Sequence, residues 1–446
     1  MRRPCFPLRQ RRRGSEWRSG GALRPALMLM LLAAGGCASA PPSRSELLAQ
    51  SYDDIQQDYL QPMPAREQAL ATLQELNAID SSLTVDAVGN ALVLKQGAHA
   101  DQYFPAPAAT DWRGWGRTAA NVSAAAAAAS PAVGSLSSDA LDGALIRGTL
   151  AVLDPYSRYI PPQALSRSLL VEGSEGAESP AAGPPRAVSA ATVPHLEPSV
   201  RLRVEDGIAL AQINRFTAST GKLLRRKLAS AAATSVIFRG VILDMRDNPG
   251  GDIGAAVEVA RLFLSRGVIV SFETRDPAER EVVSAHHSGD YRTLPLVVLI
   301  NGASASASEI VAAALQENDR ALVIGSPSFG KGTIQSIFDL ANGGELWVTS
   351  AYSRAPSGYF LQHHGVLPDI CITLPMAPAA GDASSAVHAW QYHYLLASPR
   401  AALSEAQWIE ARQLCPPVSS SSSGDDRALQ MAMAIIWDRL RARRGG

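Results

Sequence analysis

Leu296-Val-Val-Leu-Ile-Asn-Gly-Ala-Ser-Ala-Ser-Ala-Ser-Glu-Ile-Val-Ala-Ala-Ala-Leu315 joins an apolar run, a stretch of small residues and an Ala-rich run without a break. Leu296 to Ile300 reads as a strand buried on both faces, and Ser306 to Leu315 as a helix. The same alternation continues outward. Upstream, Ile208 to Ile213 reads as a strand and Gly221 to Ala233 as a helix. Val236 to Met245 is an apolar strand ending in a charged turn, and Ile253, Val257, Ala260 and Leu264 mark a helical face that stops near Gly267. Downstream, Ala321 to Ile324 is a strand, and Ile334 to Leu340 with Leu346 to Tyr352 predict a hairpin around Asn342-Gly343. Continuous apolar strands alternating with helices predict a layered α/β core.

Before this core, Leu47, Leu48, Tyr52, Ile55 and Tyr59 recur at helical spacing until Pro62, and Leu70, Leu73 and Leu76 form a second helical stretch. Leu83 to Leu94 predicts a hairpin around Gly89-Asn90, and the Ala-rich residues 117–135 read as a linker or surface segment. Ser138 can cap a helix bearing Leu141, Leu145, Leu150 and Leu153 that ends at Asp154-Pro155. Residues 170–198 have linker composition. After the core, the run Ser419 to Ser423 leads into a helix with Leu429, Met433, Ile436 and Leu440 on one face.

The 446 residues suffice for two or three domains, and 46% hydrophobic residues supply a substantial core. Lys plus Arg and Asp plus Glu both number 41, so no net charge draws in nucleic acid. Eight Arg nevertheless fall in the first 24 residues and lead into the apolar run Ala26 to Ala34. That run is too short to span a bilayer and has the flanks of a secretory signal. Ala34-Gly35-Gly36-Cys37 resembles the lipobox of bacterial lipoproteins, with Cys37 as the lipidated residue; a plain signal peptide cut after Ala40 is the alternative. Cys371 and Cys415 are then an even pair in an exported chain, either disulfide-bonded or two buried thiols.

Three loops carry residues that packing alone does not require. Asp244-Met-Arg-Asp-Asn-Pro-Gly-Gly251 lies between strand and helix, where glycines let backbone N–H groups face a ligand; a tight structural turn is the simpler reading. In Asn301 to Ile310, a Ser at a helix start suits a nucleophile, since the next amide can stabilise an oxyanion; helix capping, by Ser304 for one, is the competing role. Gly325-Ser-Pro-Ser-Phe-Gly-Lys-Gly-Thr333 fits a phosphate loop up to Lys331, but Gly332 stands where Ser or Thr should reach Mg²⁺. Lys331 instead suits a general base, its amine freed by burial among neighbours such as Phe329 and Ile334. His363-His364 form no evident partnership with the Ser cluster, although spacing alone leaves a Ser/His arrangement open.

In this order the loops resemble those of the C-terminal processing peptidases, or tail-specific proteases. DALDGALIRGTLAVLDPYSRYIPP is similar to the family's helix and DPxSxY segment, and GVILDMRDNPGG to its glycine loop. NGASASASEIVAAALQENDRALVIGSPSFGKGTIQ resembles its catalytic block, and SAYSRAPSGYFLQHHGVLPDI its closing hairpin. The resemblance implies Ser306 as nucleophile, Lys331 as general base and Gln335 as the residue orienting that Lys. It implies the amides of Gly251 and Ala307 as the oxyanion hole. The implied fold is an α/β peptidase core, the ββα spiral of Clp-type and crotonase-like proteins, with an N-terminal helical region and a C-terminal helix. Members of that family commonly insert a PDZ domain where this chain has only the 47 residues Pro161 to Gly207, so the expectation is that it is absent.

The expected organisation is a lipoprotein signal peptide (1–37), an N-terminal helical region with an Ala-rich linker (38–137) and the peptidase module's opening helix (138–165). A linker in place of a PDZ domain (166–200), the peptidase core (201–376) and a C-terminal helical tail (377–446) follow. The expected activity is serine-type endopeptidase, with a non-catalytic peptide-binding scaffold as the alternative. No cofactor, metal or nucleic acid is expected. The expected partners are a protein or peptide substrate and a membrane, reached through the lipid anchor; a homo-oligomer and an adaptor are both open. The expected location is the periplasmic side of a bacterial membrane, the outer rather than the inner because Ala38 follows Cys37.

Overall fold

Every residue of Gly240–Asp244 and of Leu296–Ile300 is buried, as an apolar run covered on both faces of a parallel sheet must be. The computed structural model describes residues 2–3, 43–97, 99–165, 198–233, 238–286, 289–374, 383–418 and 426–442. Cys37 with nearly all of the expected signal peptide, residues 166–197 of the Pro161–Gly207 interval where a PDZ domain is expected to be absent, and the Ser419–Ser423 run lie outside the described residues. The chain forms two compact units, one of residues 1–57, 63–162 and 337–347, the other of residues 58–62, 163–336 and 348–446.

In the first unit, helices α1 (Arg44–Asp58) and α2 (Ala65–Ile79) precede an antiparallel sheet of β1 (Leu83–Val88), β2 (Ala91–Gln96) and β3 (Gln102–Pro105). The predicted turn at Gly89-Asn90 joins β1 to β2, with Val88 paired to Ala91. The Ala-rich segment departs from expectation. It is no linker but helix α3 (Trp112–Ala129), capped by Asp111 and burying Trp115, Ala119, Val122 and Ala126. Its missing large side chains are the reason it packs: a Cβ added at Gly116 would come within 2.6 Å of the α1 backbone. Helix α4 (Ser138–Leu150) is capped by Ser137, not Ser138, and packs against α2. The opening helix and β4 (Arg158–Ile160) thus belong to this N-terminal unit, and β4 pairs with Glu345–Trp347 of the hairpin.

The second unit holds β5 (Val200–Glu205), β6 (Ile208–Ile213), α5 (Thr220–Ala233), β7 (Gly240–Asp244) and α6 (Ile253–Phe263). There follow β8 (Val268–Thr274), β9 (Glu281–Ser284), β10 (Leu296–Ile300), α7 (Ala307–Glu317) and β11 (Leu322–Gly325). The chain continues through β12 (Thr333–Asp339), β13 (Glu345–Arg354), β14 (Ile370–Cys371), α8 (Ala383–Leu396), α9 (Glu405–Leu414) and α10 (Arg427–Ala442). The main sheet runs β14-β11-β10-β7-β6-β5, parallel from β14 to β6 with β5 antiparallel at the edge. This mixed α/β architecture agrees with the sequence reading. Consecutive parallel strands need crossovers of one hand, and α5, α6 and α7 accordingly pack on one another in order.

The C-terminal helix is not an appended tail. Ala428, Ala432 and Ile436 of α10 are buried against Ile208, Leu210, Ile242, Val297, Leu299 and Ile324 of the sheet. The strand residues are spaced by two, so one whole face of the sheet depends on this helix. Replacing the fully buried Ile436 by Ala should cost about 3 kcal/mol, the usual toll of a core cavity. Denaturant unfolding measures it; a loss below about 1 kcal/mol would mean that α10 is not part of the core.

Candidate active site

Strands β7, β10 and β11 are neighbours in one register, with Leu299 level with Asp244 and Ile300 level with Gly325. The three motif-bearing loops therefore leave the carboxyl edge of the sheet side by side, the place where open α/β sheets hold ligands. The first two run into helices α6 and α7, but the third runs into strand β12. A phosphate loop needs a helix N-terminus after its Lys, so that reading of Lys331 ends here.

Hydrogen bonds lock the first two loops together. Asn301 Nδ2 donates to Asp247 Oδ1 at 2.8 Å, and the Asp247 amide donates back to Asn301 Oδ1 at 2.9 Å. The Ala305 amide donates to the Asn248 carbonyl at 3.0 Å. Ser304 Oγ donates to the Met245 carbonyl at 2.8 Å, and Ser308 Oγ to the Asn248 carbonyl at 3.0 Å. Two hydroxyls of the Ser cluster are thus buried and spent on holding the glycine loop, and Ser304 does not cap α7.

Ser306 is different. It precedes α7 with φ 54° and ψ −114°, a backbone region that costs a non-Gly residue roughly 1–3 kcal/mol. The Glu309 amide donates to the Ser306 carbonyl oxygen at 2.9 Å. A strained strand-to-helix turn is also how α/β hydrolases hold a nucleophilic Ser up to solvent.

The strain is held by Glu309. Its Oε2 accepts from the Ser306 amide at 2.7 Å and from the Lys331 amide at 2.9 Å. Its Oε1 accepts from the Gly330 amide at 2.7 Å and from Ser328 Oγ at 2.5 Å. One fully buried carboxylate so joins the second loop to the third, with the backbones of Ser306 and Lys331 bonded to the same oxygen. Burial pushes the Glu309 pKa up to about 7, against the pull of the Ser328 hydroxyl and the amides of Gly330, Ser306 and Lys331.

Gly250 and Gly251 complete the arrangement. Both have positive φ, 101° and 133°, and a Cβ on Gly250 would lie 2.8 Å from Ser306 Cβ and 2.9 Å from the Ala307 nitrogen. A parallel bridge to Phe216 uses the Gly250 carbonyl and the Asp252 amide, leaving the Gly251 amide outside it. The amide of Ala307 opens α7, where N–H groups lack intrahelical partners. The glycine loop thus lies directly against Ser306 and the first amide of α7.

The remaining expected residues divide. Lys331 is half-buried beside a partly buried Ile334, but Phe329 is 55% exposed and does not enclose it. Gln335 lies on β12, its side-chain amide 3.4 Å from Thr349 Oγ1 on β13. Cys371 and Cys415 are joined as a disulfide, their Cα atoms 6.0 Å apart. The His363-His364 loop packs on the third loop through its backbone, the His363 amide donating to the Gly330 carbonyl at 2.9 Å. The His364 ring is spent on the Phe360 carbonyl and on Glu405. Among the described residues no group of His, Cys, Asp or Glu is arranged to hold a metal.

Glu309 is the participant that sequence reasoning passed over. Its signal was present, since Ser306-Ala-Ser-Glu309 has the spacing of a capping box. What the spacing could not convey is that the Glu would turn its second oxygen toward another loop.

An α/β core presenting a strained Ser at a strand-to-helix turn defines the class of site. Residues 207–372 match the model of Peptidase family S41. The chain is similar to a carboxy-terminal-processing protease of Bartonella bacilliformis, 41% identical over 183 residues, which are 40% of this chain and 42% of that one. It is similar as well to a carboxyl-terminal-processing protease of Synechocystis sp., 41% identical over 137 residues, 31% of this chain and 32% of that one. The chain thus matches less than half the length of these curated relatives. Among solved structures, a photosystem II D1 C-terminal processing protease aligns with 75% of this chain and 95% of its own, at 20% identity and a TM-score of 0.46.

Glu309 makes a pH signature. Its ordinary pKa is 4.5 and its folded value is about 7, so between those limits the folded protein binds more protons than the unfolded chain. This contribution to stability is therefore present in mild acid and declines as pH rises toward 7, by on the order of 3 kcal/mol. Denaturant midpoints measured from pH 5 to 8 should fall more steeply for wild type than for Glu309→Gln; parallel curves would contradict the assignment.

Proposed function

We propose that this chain is a serine endopeptidase of the Ser/Lys type, and the observation that carries the reading is the Glu309 carboxylate bonded to the backbones of both Ser306 and Lys331. Peptide hydrolysis needs a nucleophile, a base and an oxyanion site in fixed relation. Ser304 and Ser308 have their hydroxyls committed to the glycine loop, which leaves Ser306 for chemistry.

In this mechanism the neutral Lys331 amine takes the Ser306 hydroxyl proton as Oγ attacks the carbonyl carbon of the scissile bond. Negative charge builds on the carbonyl oxygen, where the Gly251 and Ala307 amides donate to it. Collapse breaks the C–N bond, and Lys331 passes its proton to the leaving amine. Water then attacks the acyl-enzyme, giving a proton to Lys331, and Ser306 recovers a proton as the new carboxylate leaves. Gln335, on β12 four residues along from Lys331, acts to orient it.

The relatives' names point to processing at protein C-termini, and a peptide binding in extended form beside a sheet edge would suit such substrates. The basic and apolar start of the chain and Ala34-Gly-Gly-Cys37 support export and a lipid anchor at Cys37, on the periplasmic side of a bacterial outer membrane. A disulfide between Cys371 and Cys415 suits that oxidising compartment.

An acylating serine probe tests the site. Wild type should label at Ser306, whereas Ser306→Ala and Lys331→Ala should not, each losing roughly 10³-fold or more in kcat/KM on an unfolded protein substrate. A Ser306→Ala protein that still cleaves would overturn the proposal. Gly250→Ala should fold but label at least about 100-fold more slowly, because its new methyl group meets Ser306 and a φ of 101° strains any Cβ. Unchanged labelling would show that the glycine loop does not set the Ser306 geometry.

A further inference from the structure

Residues 404–418 lie beyond the family match that ends at 372, yet they hold both of the loops that carry the proposed chemistry. Helix α9 starts at a Ser404 cap and docks through Trp408, whose ring is 4.8 Å from that of His364 and 5.0 Å from that of Tyr359. One turn later Arg412 reaches inward. Its guanidinium donates to the Ser328 carbonyl at 3.0 Å and to the His364 carbonyl at 2.9 Å. Ser328 is the residue whose hydroxyl bonds Glu309.

The chain then passes Cys415, bonded to Cys371 at the end of β14, and ties down both loops. The Gly302 amide, in the serine loop, donates to the Val418 carbonyl at 2.7 Å. The Val418 amide donates to Ser326 Oγ, in the lysine loop, at 3.0 Å. A helix fastened at one end by ring packing and at the other by a covalent bond thus carries a cation to the back of the site.

An ionised carboxylate as deeply buried as Glu309 is costly unless opposite charge and donors surround it. Its four donors are neutral groups. The charged or titratable side chains that face it are Arg412 from α9 and Tyr359 from the loop after β13, with Lys331 on the loop whose amide it accepts. Burial lowers the Arg412 pKa and the Glu309 charge raises it. Tyr359 cannot help, since its buried hydroxyl has no hydrogen-bond partner among the described residues.

We infer that Arg412 is a positioning residue of the peptidase, supplied by the C-terminal segment: it seats the Ser328–Lys331 loop and brings positive charge toward Glu309, so that Ser306 and Lys331 hold their relation. The inference rests on the proposed Ser306/Lys331 chemistry only for its catalytic consequence. The geometry it asserts is separate.

The test compares the full chain with Arg412→Met, which keeps the stem and removes the charge, and Arg412→Lys, which restores the charge without the paired donors. Hydrogen exchange at the Ser306, Gly330 and Lys331 amides, corrected for intrinsic rate, is followed from pH 5 to 9 beside probe labelling of Ser306. In Arg412→Met, protection of these amides should fall at least about 10-fold at pH 7, and its acid loss should move up by about one pH unit. Arg412→Lys should return most of that pH shift, with labelling slowed only a few-fold. Protection in Arg412→Met that matches wild type at every pH would overturn the inference, as would a loss spread evenly over the amides of the whole chain. A wild type that shows the expected exchange pattern but never labels at Ser306 would support the positioning role while sinking the proposed peptidase chemistry, so the two readings fail by different results.

Discussion

The Glu309 carboxylate is the constraint on which the rest of the site depends. It accepts four donors, two on each oxygen, from Ser306, Lys331, Gly330 and Ser328. Two loops on adjacent strands would otherwise meet only through van der Waals contact and a few backbone bonds. Loops are the mobile parts of a fold, whereas chemistry tolerates little misplacement. A buried charge with saturated hydrogen bonding resolves that tension, because losing any one donor leaves the carboxylate underpaired and raises the energy of every displaced arrangement. It also gives the strained turn at Ser306 a reason to persist, since the amide that the strain exposes is one that the carboxylate takes.

Much of the sheet was legible because its strands are two-faced. Ile208–Ile213 and Leu296–Ile300 stand in the structure at the boundaries read from hydrophobicity alone, since no other element tolerates such runs at that length. Half-exposed elements were harder. Val268–Thr274 and Glu281–Ser284 pair with each other as an antiparallel ribbon, and their mixed composition gives no period to read. The Ala-rich helix was missed for a different reason: its burial comes from backbones approaching closely over small residues, which hydrophobic patterning does not register.

The site shows the same division. Ser306, Lys331 and Gly251 sit in loops, and Ala307 at the start of α7, in stretches whose composition packing alone does not require, so they stood out as candidates before their arrangement was visible. The choice of Ser306 over its two neighbours needed the family resemblance, and the structure supplies a physical counterpart in the hydroxyls of Ser304 and Ser308, both turned to the glycine loop. Arg412 had no local signal. An Arg on an amphipathic helix is ordinarily a solvated face, and only the fold, by bending α9 over the Ser328 carbonyl, converts it into an interior cation.

This division follows from how the interactions are distributed along the chain. Hydrophobic burial is read from neighbours a few residues apart, and the strands and helices obey it. The bonds that assemble the site join residues about 20 to 100 positions apart, such as Glu309 with Lys331 and Arg412 with Ser328, and no window of sequence contains them. Their stabilising effect also runs in one direction only. Once the sheet has aligned β7, β10 and β11, the loops are close enough for one carboxylate to bridge them; before that, an ionised Glu309 is better off in water. The polar network therefore cannot drive folding. It selects, among the loop conformations that the hydrophobic layers permit, the one in which Ser306 and Lys331 share an acceptor.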